Sequence, residues 1–176
     1  MSAVLINFVV FQLGWLAVVL GGTGSWHWAG TALVIGIVAY HLSRATQPRQ
    51  EVFLIFAALM IGAVWDSLLV WSGLLIYANG VFHSDLAPHW IVAMWALFAT
   101  TLNVSLSWLK GRWLLAVVFG AIGGPLAYYA GSRLGAVDMV NQRDALMALA
   151  IGWAMIMPTL MFLSQRFNGY AKQSAS

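Results

Sequence analysis

Asp66 is the only formal charge in an apolar run covering residues 52–77, inside the stretch GAVWDSLLVWSG at 62–73. At about 1.5 Å rise per residue, a helix over that run is long enough to cross the ~30 Å core of a bilayer. A carboxylate near its middle costs roughly 2.5–3.5 kcal/mol even on the lenient insertion scale. Such a group faces protein or water, and its chemistry is that of a general acid or base, a proton carrier or a polar anchor. Positions three, four and seven away share its helix face: Leu59, Gly62, Ala63, Leu69, Val70 and Gly73. Two glycines keep that face narrow enough for a neighbouring helix, which turns Asp66 inward.

Partners for Asp66 are ranked by depth. Gln12 in the first apolar run and Thr100 in the fourth fall near its level, while Asn7 and Asn103 lie toward the cytoplasmic end. His41 stands one turn before Arg44, at the cytoplasmic end of the second run. The fourth run carries a polar stripe at Ala96, Thr100, Asn103 and Ser107, spaced as on one helix face. The expectation is one polar pocket that opens toward the inner leaflet. Asp66 and His41 are its candidate catalytic groups, and Asn7, Gln12, Thr100 and Asn103 its candidate substrate-binding groups. The competing reading of the neutral residues is interhelical hydrogen bonding, each bond contributing about 0.5–2 kcal/mol.

Other chemistries find less support. His83, Asp85 and His89 share an outer loop with His27 on the same side, but the spacing matches no zinc signature. Interfacial histidines beside tryptophan account for them, and an interface role likewise suffices for Tyr128 and Tyr129. Gly123-Gly124-Pro125 is no phosphate cradle, because no strand precedes it and no lysine follows. The chain has no cysteine, which excludes disulfides and thiolate chemistry. No metal and no cofactor is expected.

The elements that must position these residues follow from composition. Of 176 residues, 62% are hydrophobic and 7% charged, against about 25% charged in soluble domains. Six apolar runs cover residues 3–20, 28–43, 52–77, 89–109, 113–133 and 145–165. The fold expected is an all-α membrane protein, a six-transmembrane-helix bundle over residues 1–167 with a polar, frayed tail at 168–176. The first run lacks a basic leader and a small-residue cleavage site, so it reads as a retained span. Arg44, Arg49, Lys110, Arg112, Arg166 and Lys172 fall on one side; Arg133 and Arg143, beside Asp138 and Asp144, fall on the other. The positive-inside rule then places both termini in the cytoplasm. The scattered positive charge is that of an oriented membrane protein, and no nucleic-acid partner is expected. Pro125 and Pro158 each remove a helical hydrogen bond, so kinks are expected in the fifth and sixth spans. The pentapeptides ALMIG at 58–62 and ALAIG at 148–152 are too short to establish an internal repeat.

Several segments together carry a resemblance. Asn7-Phe8 precedes Phe11-Gln12-Leu13-Gly14-Trp15; then come Trp65-Asp66-Ser67-Leu68-Leu69, the stretch WALFATTLN at 95–103, and Gly123-Gly124-Pro125-Leu126-Ala127-Tyr128. The chain resembles, over nearly its whole length, a proteobacterial family of small inner-membrane proteins known as domain of unknown function twenty-eight seventy-eight. The resemblance implies a multi-pass protein of the bacterial inner membrane. It also implies an association with partner enzymes of fatty-acid modification, of the cyclopropane-synthase and flavin-oxidoreductase kinds. A more distant similarity is to membrane lysoplasmalogenases, which depend on intramembrane acids; on this reading the chain has only one such acid, Asp66. Three readings stay open: a protein that binds or modifies a lipid or fatty-acyl chain from the cytoplasmic leaflet, a small proton-coupled transporter, and a non-catalytic scaffold. Membrane lipids are the expected partners, and the sequence implies no particular oligomeric state.

Overall fold

In lipid a backbone has no water to satisfy its N–H and C=O groups, so apolar runs of this length fold as helices. The computed structural model describes residues 3–171. Its helices are α1 (Ala3–Gly22), α2 (His27–Arg44), α3 (Pro48–Trp71), α4 (His89–Leu102), α5 (Trp113–Arg133) and α6 (Gln142–Arg166). Two short strands, β1 (Leu75–Ile76) and β2 (Asp138–Met139), pair antiparallel with Leu75 opposite Met139 and Ile76 opposite Asp138. This ribbon ties the connection after α3 to the connection before α6. Both ends of the described chain lie at the opposite end of the bundle, where Ala3 and Tyr170 line one cavity.

Four helices, α1, α3, α5 and α6, are long and apolar enough to cross a membrane. Their outer faces expose Leu13, Phe56, Leu114 and Ile151, a surface suited to lipid. This is a multi-pass membrane protein. Helix α4 is shorter, at 14 residues, and buried nearly all round. It packs on α1, α2 and α3 and touches α6, while α5 packs on α6.

Two apolar runs end earlier than the sequence suggests. The third helix stops at Trp71, where the Gly73 N–H donates to Val70 O and the Leu74 N–H to Leu69 O. That is a Schellman cap, and Gly73 takes the left-handed φ of +72° it requires. Gly73 is therefore a turn residue and no part of the Asp66 face, and Asp66 lies less than two turns from the helix end instead of at mid-run. The fourth helix stops at Leu102, and a single 3₁₀ turn follows at Ser107–Leu109. Polar side chains draw the backbone away from a continued helix there: the Ser105 N–H donates to Asn7 Oδ1, and Ser107 Oγ donates to Val104 O. The expected stripe through Asn103 and Ser107 is broken for that reason. Helices α5 and α6 run on through Pro125 and Pro158.

Tryptophans of one helix seat on glycines of another. A Cβ at Gly62 would stand 2.1 Å from Trp95 Cγ, one at Gly124 would stand 2.2 Å from Trp153 Cγ, and one at Gly152 would stand 2.1 Å from Trp65 Cζ2. Gly152→Ala is expected to lower stability by about 1–3 kcal/mol, the usual cost of overpacking. Gly123→Ala meets only Phe119 at 3.8 Å and is expected to be neutral, or stabilising by up to about 1 kcal/mol through helix propensity. Thermal unfolding of the two variants in detergent, side by side, checks the contrast.

Candidate functional site

Asp66 is wholly buried, and three elements converge on it. Its Oδ2 accepts from Trp95 Nε1 of α4 at 2.6 Å; its Oδ1 accepts from the Tyr128 hydroxyl of α5 at 2.5 Å and from the Tyr77 hydroxyl, just after β1, at 3.5 Å. Gly62 makes the first of these possible. It stands one turn before Asp66 on the same face, and its missing side chain lets the Trp95 indole lie across α3. Trp95 also stacks on Trp153 of α6, with centroids 4.8 Å apart and planes at 12°, which holds the indole in place.

Beside this centre runs a groove of about 630 Å³. Helices α1 and α5 form its two walls and are not packed on each other; α4 and α6 form its floor. Phe8, Phe11, Gln12 and Trp15 line the α1 side, and Gly120, Gly123, Ala127 and Tyr128 the α5 side. The lining is overwhelmingly apolar. It extends from Phe8 and Ser105 at one end of the bundle to Val19 and Ala136 at the other. Tyr77, Trp95 and Tyr128 belong to the wall but Asp66 does not. The carboxylate reaches the groove only through its hydrogen-bond donors.

A second buried acid occupies the opposite end of α3. Glu51, in the first helical turn, is fully buried. Its Oε2 pairs with His41 Nε2 at 2.7 Å, and its Oε1 accepts from Asn103 Nδ2 at 2.6 Å and from the Gly169 N–H at 2.8 Å. Asn103 also donates to Phe167 O at 2.9 Å and accepts from Lys110 Nζ at 2.5 Å. Burial pushes the Lys110 ammonium below its usual range, opposed by the charge of Glu51. The Tyr170 hydroxyl donates to His41 O at 2.7 Å and sits 3.2 Å from His41 Nδ1. Burial, reinforced by Glu51, raises that phenol to about 12. Residues 167–171 are thus fastened over Glu51 rather than frayed; the rest of the tail lies outside the described residues.

The single pocket expected from depth therefore divides in two. Gln12 lines the groove beside the Asp66 donors. Asn7 donates to Thr100 O at 3.0 Å, and both line a smaller cavity near His41. The Thr100 hydroxyl donates to Leu97 O within its own helix. Asn103 and His41 serve Glu51, at the other end of α3 from Asp66. Glu51, Tyr77, Trp95 and Tyr128 were not given these roles from the sequence. Glu51 lies one residue outside the apolar run, although an acid ten residues after His41 across a short turn was a visible signal. Trp95 entered only as part of the stretch at 95–103. Tyr128, read as interfacial, is buried against Asp66. Of the outer histidines, His27 Nδ1 bonds to His89 Nε2 at 2.8 Å, with Trp28 stacked on His89 at 3.9 Å, while His83 lies beside Asp85.

No curated protein and no solved structure matches this chain. A family model matches residues 4–159, including Asp66, Glu51 and every donor to Asp66. With most of its length covered, the chain belongs to the family described as Protein of unknown function (DUF2878).

Proposed function

We propose that this protein holds an apolar chain, the tail of a lipid or a fatty-acyl group, in the groove between α1 and α5, and acts on it through Tyr128 and Asp66. In this reading all six helices span the bacterial inner membrane, with both termini in the cytoplasm by the distribution of Lys and Arg. The tail enters from the cytoplasmic leaflet at the end marked by Phe8 and Ser105, and runs toward Tyr128. The observation that carries the reading is the groove itself: an apolar slot of about 630 Å³, with a tyrosine in its wall that is hydrogen-bonded to a buried carboxylate.

The chemistry available is proton transfer. The Tyr128 hydroxyl donates its proton toward Asp66, and the Tyr128 side chain lines the groove; in this reading the lone pairs of its oxygen serve the ligand. A proton taken from a bound ligand by the Tyr128 oxygen is matched by release of the phenolic proton to Asp66. The ligand becomes an anion, tyrosine stays neutral and the carboxylate becomes a carboxylic acid; the reverse order delivers a proton. Geometry of this kind is the first requirement for a general base. Asp66 is then a positioning and proton-holding group, and Tyr128 the group that touches the ligand.

The test has two parts. Gly123 lines the groove, and a Cβ there meets only Phe119 at 3.8 Å, so Gly123→Trp is expected to fill the groove. Photo-crosslinking with a diazirine fatty acid is expected to label the wild-type protein on α1 or α5, and labelling is expected to fall at least tenfold in Gly123→Trp. Asp66→Asn keeps the fold, because the amide accepts from Trp95 and donates to the Tyr128 oxygen. Its membrane lipid profile is expected to match that of a deletion strain. Equal labelling of both proteins removes the groove as a binding site. Wild-type lipids in the Asp66→Asn strain, at unchanged protein level, remove the proton-transfer role.

A further inference from the structure

The smaller cavity, of about 440 Å³, lies between α1, α2 and α4 at the end of the bundle opposite the β1–β2 ribbon. We propose that it is a separate binding site for a phosphate-bearing anion, held by the Arg44 guanidinium and the Tyr40 hydroxyl.

The cavity has two chemistries. Ala3, Ile6, Val10 and Ile37 make one part apolar, while Tyr40, His41, Arg44 and Tyr170 make the rest polar. The buried polar groups in its wall have no capacity to spare for a ligand. His41 is held by Glu51 on one nitrogen and faces the Tyr170 hydroxyl with the other, and that hydroxyl donates to His41 O. The Asn7 amide is used on Thr100 O and the Ser105 N–H. Arg44 and Tyr40 differ: among the described residues neither side chain makes a hydrogen bond or an ion pair. A guanidinium at the rim of a part-apolar cavity, with all its donors unused, is complementary to a tetrahedral oxyanion, whose oxygens match its planar fork.

Charge and position agree with this assignment. The acids nearest Arg44 do not neutralise it, because Glu51 is consumed by His41, Asn103 and the Gly169 N–H. Tyr170, held protonated by burial, adds no negative charge. Arg44, Arg49, Lys110, Arg112 and Arg166 all belong to this end of the chain's topology, and basic pockets between helices at such a surface attract phosphate head groups. Two sources of the phosphate share that chemistry: the head group of an anionic phospholipid, whose glycerol and first methylenes would fill the apolar part, or a soluble phosphate ester.

Native mass spectrometry of the full chain in detergent, mixed with dioleoyl phosphatidylglycerol or with dioleoylglycerol as the phosphate-free control, tests the site. Measurement in both the wild-type and the Gly123→Trp background removes any contribution from lipid held in the α1–α5 groove, so the two readings fail separately. Phosphatidylglycerol retention is expected to fall at least tenfold in Arg44→Gln and a few-fold in Tyr40→Phe. The thermal midpoint stays at wild type, since Arg44 bonds nothing in the fold. Arg49→Gln removes the same charge from the start of α3 and is expected to retain the lipid. Displacement by millimolar glycerol phosphate assigns the site to a soluble ester; no displacement assigns it to the lipid. Equal retention by wild type and Arg44→Gln overturns the proposal, as does an equal loss in Arg49→Gln, which would mean unspecific charge attraction.

Discussion

Glu51→Ala is expected to be the most damaging single substitution in the chain, lowering stability by about 3–5 kcal/mol, the range for breaking a buried pair. Glu51 joins three pieces of the protein at one carboxylate: α2 through His41, the end of α4 through Asn103, and the segment after α6 through the Gly169 N–H. Removing the carboxylate leaves a buried imidazole, a buried amide and a backbone N–H without that acceptor. It is also expected to loosen residues 167–171, which keep the bonds of Asn103 to Phe167 O and of Tyr170 to His41 O. Thermal unfolding in detergent reads the loss, and limited proteolysis reads the loosening as cleavage near Arg166. Glu51→Gln keeps one acceptor and is expected to lose less. A midpoint for Glu51→Ala within a degree of wild type would show that the cluster is peripheral to the fold.

Asp66→Leu is expected to come second. Leucine is larger than aspartate and welcome in lipid, yet it strands the Trp95 N–H and the Tyr128 hydroxyl, both buried. An orphaned buried donor costs about 1–3 kcal/mol, so the pair together cost roughly 2–5 kcal/mol, less whatever the removal of a buried charge returns. The informative comparison is with Asp66→Asn, which can satisfy both partners. A large drop in thermal midpoint for leucine beside a small one for asparagine identifies hydrogen bonding, rather than charge, as what Asp66 contributes to folding. Equal drops for both would instead assign the effect to the charge.

Much of the framework was legible without coordinates. Helices α1, α2, α5 and α6 begin and end close to the apolar runs, since length and hydropathy leave few other ways to satisfy a backbone in lipid. The inward orientation of Asp66 was legible from Gly62, which proves to be the seat of Trp95. Its depth was misjudged because hydropathy does not distinguish helix from the apolar ribbon after it: Leu75 and Ile76 continue the run as strand. The fourth run misled in the same way, its last residues being apolar enough for a span but recruited by Asn7 and Glu51 into turns.

The division of the polar residues into two groups was not legible at all. Depth along a helix is a one-dimensional quantity and can be counted from sequence; lateral adjacency depends on how six cylinders pack. Asn103 and Asp66 seemed compatible in depth, yet Asn103 meets Glu51 and Asp66 meets Trp95, Tyr77 and Tyr128. A buried aromatic and an interfacial one have the same letter in a sequence. Composition and hydropathy alone dictated a helical protein that lives in a membrane, because the solvation of backbone and charge is set residue by residue. Which acid faces a groove, which one fastens the chain's end, and which arginine is left with free donors came from packing, because those properties belong to contacts between segments far apart in the chain.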